Sequence, residues 1–179
     1  MSGHNKWSQI KRQKGVSDAK KSKIFSKLAR MIATEARKAK GDVSAPGLRA
    51  AIEKARAVNM PKENIERAVK KASDKGAEME STTYEAYGPG GAGIVVVALT
   101  DNRNKAAQEI KFILSKHGAA LGAIGSVTWA FAHERNDHGF TWNPTTIIPL
   151  SDEDLSALDK LVDELEENDE VQEVFTNAE

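Results

Sequence analysis

Apolar residues recur at three- and four-residue intervals through the first part of the chain, then give way to strand-like runs beyond Gly76. Ile24, Phe25, Leu28, Met31, Ile32 and Ala36 trace a helical stripe that begins near Ser17, and Gly41 supplies a stop. A second helix is predicted from Ala45-Pro46, where proline suits a first turn, through Leu48, Ala51, Ile52 and Ala55 to Val58. The third starts at Pro61, carries Ile65, Ala68, Val69 and Ala72, and ends around Gly76. Each stripe is too narrow to be stable alone, so the three are expected to pack together.

Beyond Gly76 the pattern predicts a short strand over 84–87 and a buried one over 93–100 (GIVVVALT). A helix over 104–117 follows, then strands over 126–131 (SVTWAF) and 140–149, a helix over 151–168 and a last strand over 171–175. Leaving out the short first strand, the order is β-α-β-β-α-β, the split βαβ arrangement of ferredoxin-like domains. The expected fold is therefore α+β: a three-helix bundle over 1–77 and one ferredoxin-like domain over 78–179. HERNDHG, residues 133–139, is read as the loop between the two middle strands.

Charge divides the chain in the same place. Overall, 26 basic residues balance 26 acidic ones. Residues 1–75 nevertheless hold 20 of the basic residues and only 7 of the acidic ones. A basic module that faces nucleic acid, joined to an acidic one, accounts for this asymmetry. Residues 1–40 alone carry 12 cations and 2 acids, with Trp7 placed to stack on a base or to staple the leader GHNKWSQIKRQKG to the helices.

The remaining motifs narrow the chemistry. There is no cysteine, which excludes disulfides and thiolate metal sites and fits a reducing cytoplasm. No apolar run approaches a membrane span, and the leader lacks the apolar stretch of a signal peptide. GPGGAG contains the G-x-G-x-x-G spacing, but the segment after it reads as a strand, not the helix a dinucleotide site requires. His133 and His138 are five apart on a turn, where zinc chemistry wants four on a helix. With Met1 removed, Ser2-Gly3-His4 would offer an incidental square-planar copper or nickel site. No nucleophile elbow appears, and the acids over 151–173 read as a solvated helix face with a stabilising first turn. The chain is expected to be a non-enzyme with no catalytic or metal residues, no cofactor, no small-molecule substrate and no membrane partner.

GHNKWSQIKRQKG, DAKKSKIFSKLAR, NMPKENIERAVKK, YGPGGAGIVVVALTDNRNK and LSKHGAALG, taken in series, resemble the YebC family of probable transcriptional regulators, which includes mitochondrial activators of translation. The resemblance covers residues 2 to about 131 and resumes at about 145–177. It implies a helical bundle followed by ferredoxin-like α/β domains. Typical members carry a further domain where this chain has only the short loop 132–144. For function, the resemblance implies either a DNA-binding regulator or a ribosome-associated factor that contacts ribosomal RNA. A protein-interaction module is the third reading. Nucleic-acid contacts are expected at Lys6, Trp7, Lys11, Arg12, Lys14, Lys20, Lys21, Lys23, Lys27 and Arg30. Lysine dominates this set, which favours phosphate contact over base readout.

Overall fold

The computed structural model describes residues 18–73, 78–136 and 139–179. Two compact units result. One holds the three helices with residues 134–141, and the other holds Glu80–His133 and Trp142–Glu179.

In the helical unit, α1 spans Asp18–Lys38, α2 Pro46–Ala57 and α3 Lys62–Lys70, followed by a 3₁₀ turn over Lys71–Ser73. Lys40 and Gly41 both adopt positive φ and end α1, with the Gly41 N–H donating to the Ala36 carbonyl at 2.8 Å. Asn59, also at positive φ, closes α2 and turns Met60 into the core. That core is Leu28, Ile32 and Ala36 of α1 against Leu48, Ala51, Ile52 and Ala55 of α2 and Met60, Ile65 and Ala68 around α3. All but Met60 belong to the three predicted stripes, whereas Ile24 and Val58, also placed on those helices, are exposed.

The second unit is built on a β-hairpin. β1 (Glu80–Tyr87) pairs antiparallel with β2 (Gly93–Thr100) over eight residues, from Glu80 opposite Thr100 to Tyr87 opposite Gly93. The turn between them runs through Gly90 and Gly91, both at positive φ. α4 (Arg103–Lys116) follows, then β3 (Ala120–Leu121), β4 (Phe131–Asn136), β5 (Gly139–Pro144), α5 (Asp152–Glu167) and β6 (Val171–Thr176). The four-stranded sheet has the order β3-β1-β2-β6, with each neighbouring pair antiparallel; β4 and β5 form a separate two-stranded ribbon. Ile94, Val96 and Ala98 of β2 pack on Ile110, Ile113 and Leu114 of α4 and on the leucines of α5. Val95 points the other way, onto Val127, Ala130 and Phe131. Burial of alternate residues on both faces explains why GIVVVALT carries no polar alternation.

The class is α+β, but the strand assignments within it change in two places. The first strand is not a minor element. It extends back to Glu80 and lies at the centre of the sheet, and its polar, exposed first half hides it from a hydrophobic pattern. Residues 126–130 are not a strand. They form a 3₁₀ turn over Thr128–Ala130 beneath β2, and the middle pair of the expected β-α-β-β-α-β order stands outside the main sheet. Val127, Ala130 and Phe131 bury at turn spacing, and the N–H groups of Val127 and Thr128 are bound by a side chain in place of a neighbouring strand.

The chain end is held by Asn177, only 2% exposed. Its Oδ1 accepts from the Gly93 N–H at 2.7 Å and its Nδ2 donates to the Thr146 carbonyl at 3.0 Å. Asn177→Ala leaves both groups without these partners and is expected to cost about 1–3 kcal/mol in urea unfolding. An unchanged midpoint would show that the buried amide contributes nothing.

Candidate nucleic-acid interface

α1 forms because DAKKSKIFSKLARMIATEARK has good helix formers around an apolar stripe, an acid in its first turn and Arg37 and Lys38 in its last. At 3.6 residues per turn, Lys20, Lys23, Lys27 and Arg30 fall three or four apart and share one stripe, displaced from the Leu28–Ile32–Ala36 face. Lys20 is exposed, and Lys23, Lys27 and Arg30 are half-buried. Lys21 does not join them. It heads the apolar stripe, seven residues before Leu28, where it is exposed. Arg30 also donates from Nε to the Met79 sulfur at 3.1 Å, which ties the stripe to the chain leaving the helices. Lys6, Trp7, Lys11, Arg12 and Lys14 lie outside the described residues, as do His4 and His138.

Other cations of this unit are partly engaged within their own helices. Lys38 pairs with Glu35 at 2.8 Å, Arg56 with Glu53 at 2.7 Å and Lys62 with Glu66 at 3.7 Å. Pairs this exposed are worth little energetically and compete weakly with a phosphate.

The acidic unit handles its charges differently. Ser151 caps α5 by accepting from the Asp154 N–H at 3.1 Å, and Asp152, Glu153 and Asp154 occupy the first turn, where the helix dipole favours them. Glu164 takes Lys116 at 2.8 Å and His117 at 2.6 Å from α4, and these bonds hold its carboxyl below the usual range.

A further residue escaped the sequence reading. Glu85, on the central strand β1, is 7% exposed and accepts from the backbone N–H groups of Gly125 at 2.6 Å, Val127 at 2.7 Å and Thr128 at 2.8 Å. Its own carbonyl accepts from the Gly122 N–H at 2.8 Å. Burial works to raise this carboxyl, but the N–H groups of Gly125, Thr128 and Val127 outweigh it and hold the group below the usual range. The signal available in the sequence was the complete lack of charge from Gly118 to Ala132, beside one acid in an otherwise uncharged YEAY.

The tempting motifs resolve simply. GPGGAG connects strand to strand. His133 lies on β4 and stacks on Trp142 with ring centroids 4.2 Å apart. No group of three or more potential ligands is gathered among the described residues, and no helix among them is long and apolar enough to cross a membrane.

Known proteins match along nearly the whole chain. Residues 5–75 match the TACO1/YebC protein N-terminal domain, and residues 79–136 and 132–178 match the TACO1/YebC second and third domain. The second match divides at the β4–β5 ribbon, where the sequence reading expected only a short loop and the structure has two strands. A probable transcriptional regulatory protein of Thermoanaerobacter pseudethanolicus is 38% identical over 239 aligned positions, covering 100% of this chain and 97% of that protein. With only 179 residues here, that relative has positions for which this chain has none. A probable transcriptional regulatory protein of Petrotoga mobilis is 44% identical over 183 positions, covering 100% of this chain and 71% of the relative. The crystal structure of a conserved hypothetical protein from Aquifex aeolicus superposes with a TM-score of 0.76 at 31% identity, covering 90% of this chain and 91% of that one. Matched in both its basic helices and its α/β unit, and shorter than its relative at the β4–β5 ribbon, the chain belongs to the TACO1/YebC family.

Proposed function

We propose that this protein is a nucleic-acid-binding regulator without catalytic activity, its basic helical unit gripping the phosphate backbone of DNA. The stripe Lys20, Lys23, Lys27 and Arg30 on one side of α1 carries the reading, because four cations at one-turn intervals match a polyanion better than any small ligand. The names of the relatives, probable transcriptional regulatory proteins, support the regulatory role. The acidic α5 repels nucleic acid and so favours binding through the basic unit.

A second reading rests on a specific observation. α1 contains no asparagine or glutamine, the side chains that read adenine in a major groove, and its cations are mostly lysine. Contact with structured RNA on the ribosome, where backbone shape matters more than sequence, uses such a surface equally well. The deciding experiment compares cosedimentation with ribosomes against duplex DNA binding, each over a salt series, for the whole chain and for one lacking residues 2–16. Duplex binding with a steep salt slope and no ribosome association establishes the DNA reading. Ribosome association that outlasts duplex binding as salt rises establishes the other, and absence of both defeats the proposal.

A further inference from the structure

Between α1 and α3 the helical unit carries an open cleft of about 190 Å³. Phe25 and Met60 line it with apolar surface, Ser26 and Asn64 add polar groups, and Arg67 and Lys71 add charge. Phe25 is half-buried against the helical core, and Met60 is 6% exposed, so this apolar surface is set by packing. Asn64 offers both a donor and an acceptor. The Ser26 hydroxyl donates to the Ser22 carbonyl at 3.0 Å and keeps its lone pairs for another donor. Arg67 and Lys71 are exposed and four residues apart, hence side by side. No carboxylate is among the described residues that line the cleft.

These groups specify a ligand with three properties at once: a flat apolar face, a hydrogen-bonding edge and an adjoining anion. A free phosphate would leave the aromatic surface unused, and an apolar peptide would leave two cations unanswered. A paired base has its faces inside the stack and its edge engaged, whereas an unpaired nucleotide presents all three. Ser26 adjoins the Lys23–Lys27–Arg30 stripe on α1, so a strand following the lysines passes the mouth of the cleft.

We propose that this cleft receives one unpaired nucleotide of a single strand, its base against Phe25 and Met60, its edge on Asn64 and Ser26, and its phosphate beside Arg67 and Lys71. The inference rests on the nucleic-acid reading above and adds the class of ligand. It is tested on the full chain with short single strands of RNA and of DNA carrying one 2-aminopurine, and with a duplex of the same length. The combined variant Asn64→Ala with Arg67→Ala, and separately Phe25→Leu, should lose about tenfold in single-strand affinity and most of the 2-aminopurine quenching. Duplex affinity should stay within about twofold, because the lysine stripe is intact. Tighter binding of RNA than of DNA adds a 2′-hydroxyl contact, and equal binding assigns recognition to base and phosphate; both agree with the cleft as a nucleotide site.

Equal losses for single strand and duplex, or unchanged quenching, would overturn it. So would cleft variants that lower thermal stability as much as deletion of residues 2–16 while oligonucleotide binding is untouched, which would give the cleft to the chain's own leader. If nothing binds at any salt, the nucleic-acid reading falls first. If duplex and single strand bind with steep salt slopes but the cleft variants match the parent, the cleft assignment alone fails.

Discussion

Glu85→Ala is expected to lower the unfolding free energy by about 3–5 kcal/mol. A hydrogen bond to a charged group contributes about 1.5–3 kcal/mol, and this carboxylate makes three to backbone N–H groups. Removing it leaves those three donors without their carboxylate acceptor and frees the segment over 122–128. Glu85→Gln keeps one acceptor oxygen but turns an amino group towards the N–H cluster, so about 2 kcal/mol is expected. Urea unfolding measures both. Hydrogen exchange at Gly125, Val127 and Thr128 locates the loss, and unchanged protection at those amides would refute the role.

The pH dependence has a definite sign. The native carboxyl lies below its unfolded value, so its stabilisation is complete above the ordinary carboxylate range and disappears as pH falls through the lowered native value. The stability gap between the parent and Glu85→Gln should therefore be constant near neutrality and close in acid. A gap that widens on acidification would contradict the assignment.

The second large effect concerns binding. Replacing Lys20, Lys23 and Lys27 together with alanine should weaken duplex or ribosome binding by ~10²-fold at low salt and make the logarithmic salt slope shallower by about 2–3. These are phosphate contacts, so the loss should be uniform across target sequences. Lys111→Ala on α4 serves as the control, because it removes an exposed cation from the acidic unit. A triple variant that binds as the parent does, or whose loss depends on sequence, would remove the stripe from the interface. Lys21→Ala should cost less than any of the three, since it projects towards the apolar side.

Much of this was legible in the sequence because a helix is a local object. Leu28, Ile32 and Ala36 repeat at a period that only a helix satisfies, and the helices among the described residues start within a residue or so of their predicted bounds, α3 alone giving way early, to a 3₁₀ turn at Lys71. Gly41 and Gly118 as helix ends, and the GPGGAG turn, follow from the need for positive φ. The basic character of the first helix was readable too, but the sequence reading grouped Lys21 with Lys20, Lys23, Lys27 and Arg30, from which the bounds of α1 separate it.

Pairing across the sheet was not readable in the same way. Whether SVTWAF joins a ladder depends on what else can satisfy its N–H groups, and the competitor is a carboxylate about 40 residues earlier, at Glu85. The central place of β1 depends on having both β2 and β3 as neighbours, which its polar first half gives no hint of. The cleft, too, exists only once α3 lies beside α1 and brings Asn64 and Arg67 opposite Phe25. Helices and their basic charge could be read from the sequence because each is written in residues within a few turns of one another, and the family because several short motifs recur in series along the chain. Strand order, the burial of Glu85 and the cleft follow from the folded arrangement, because each depends on groups tens of residues apart meeting in a desolvated space.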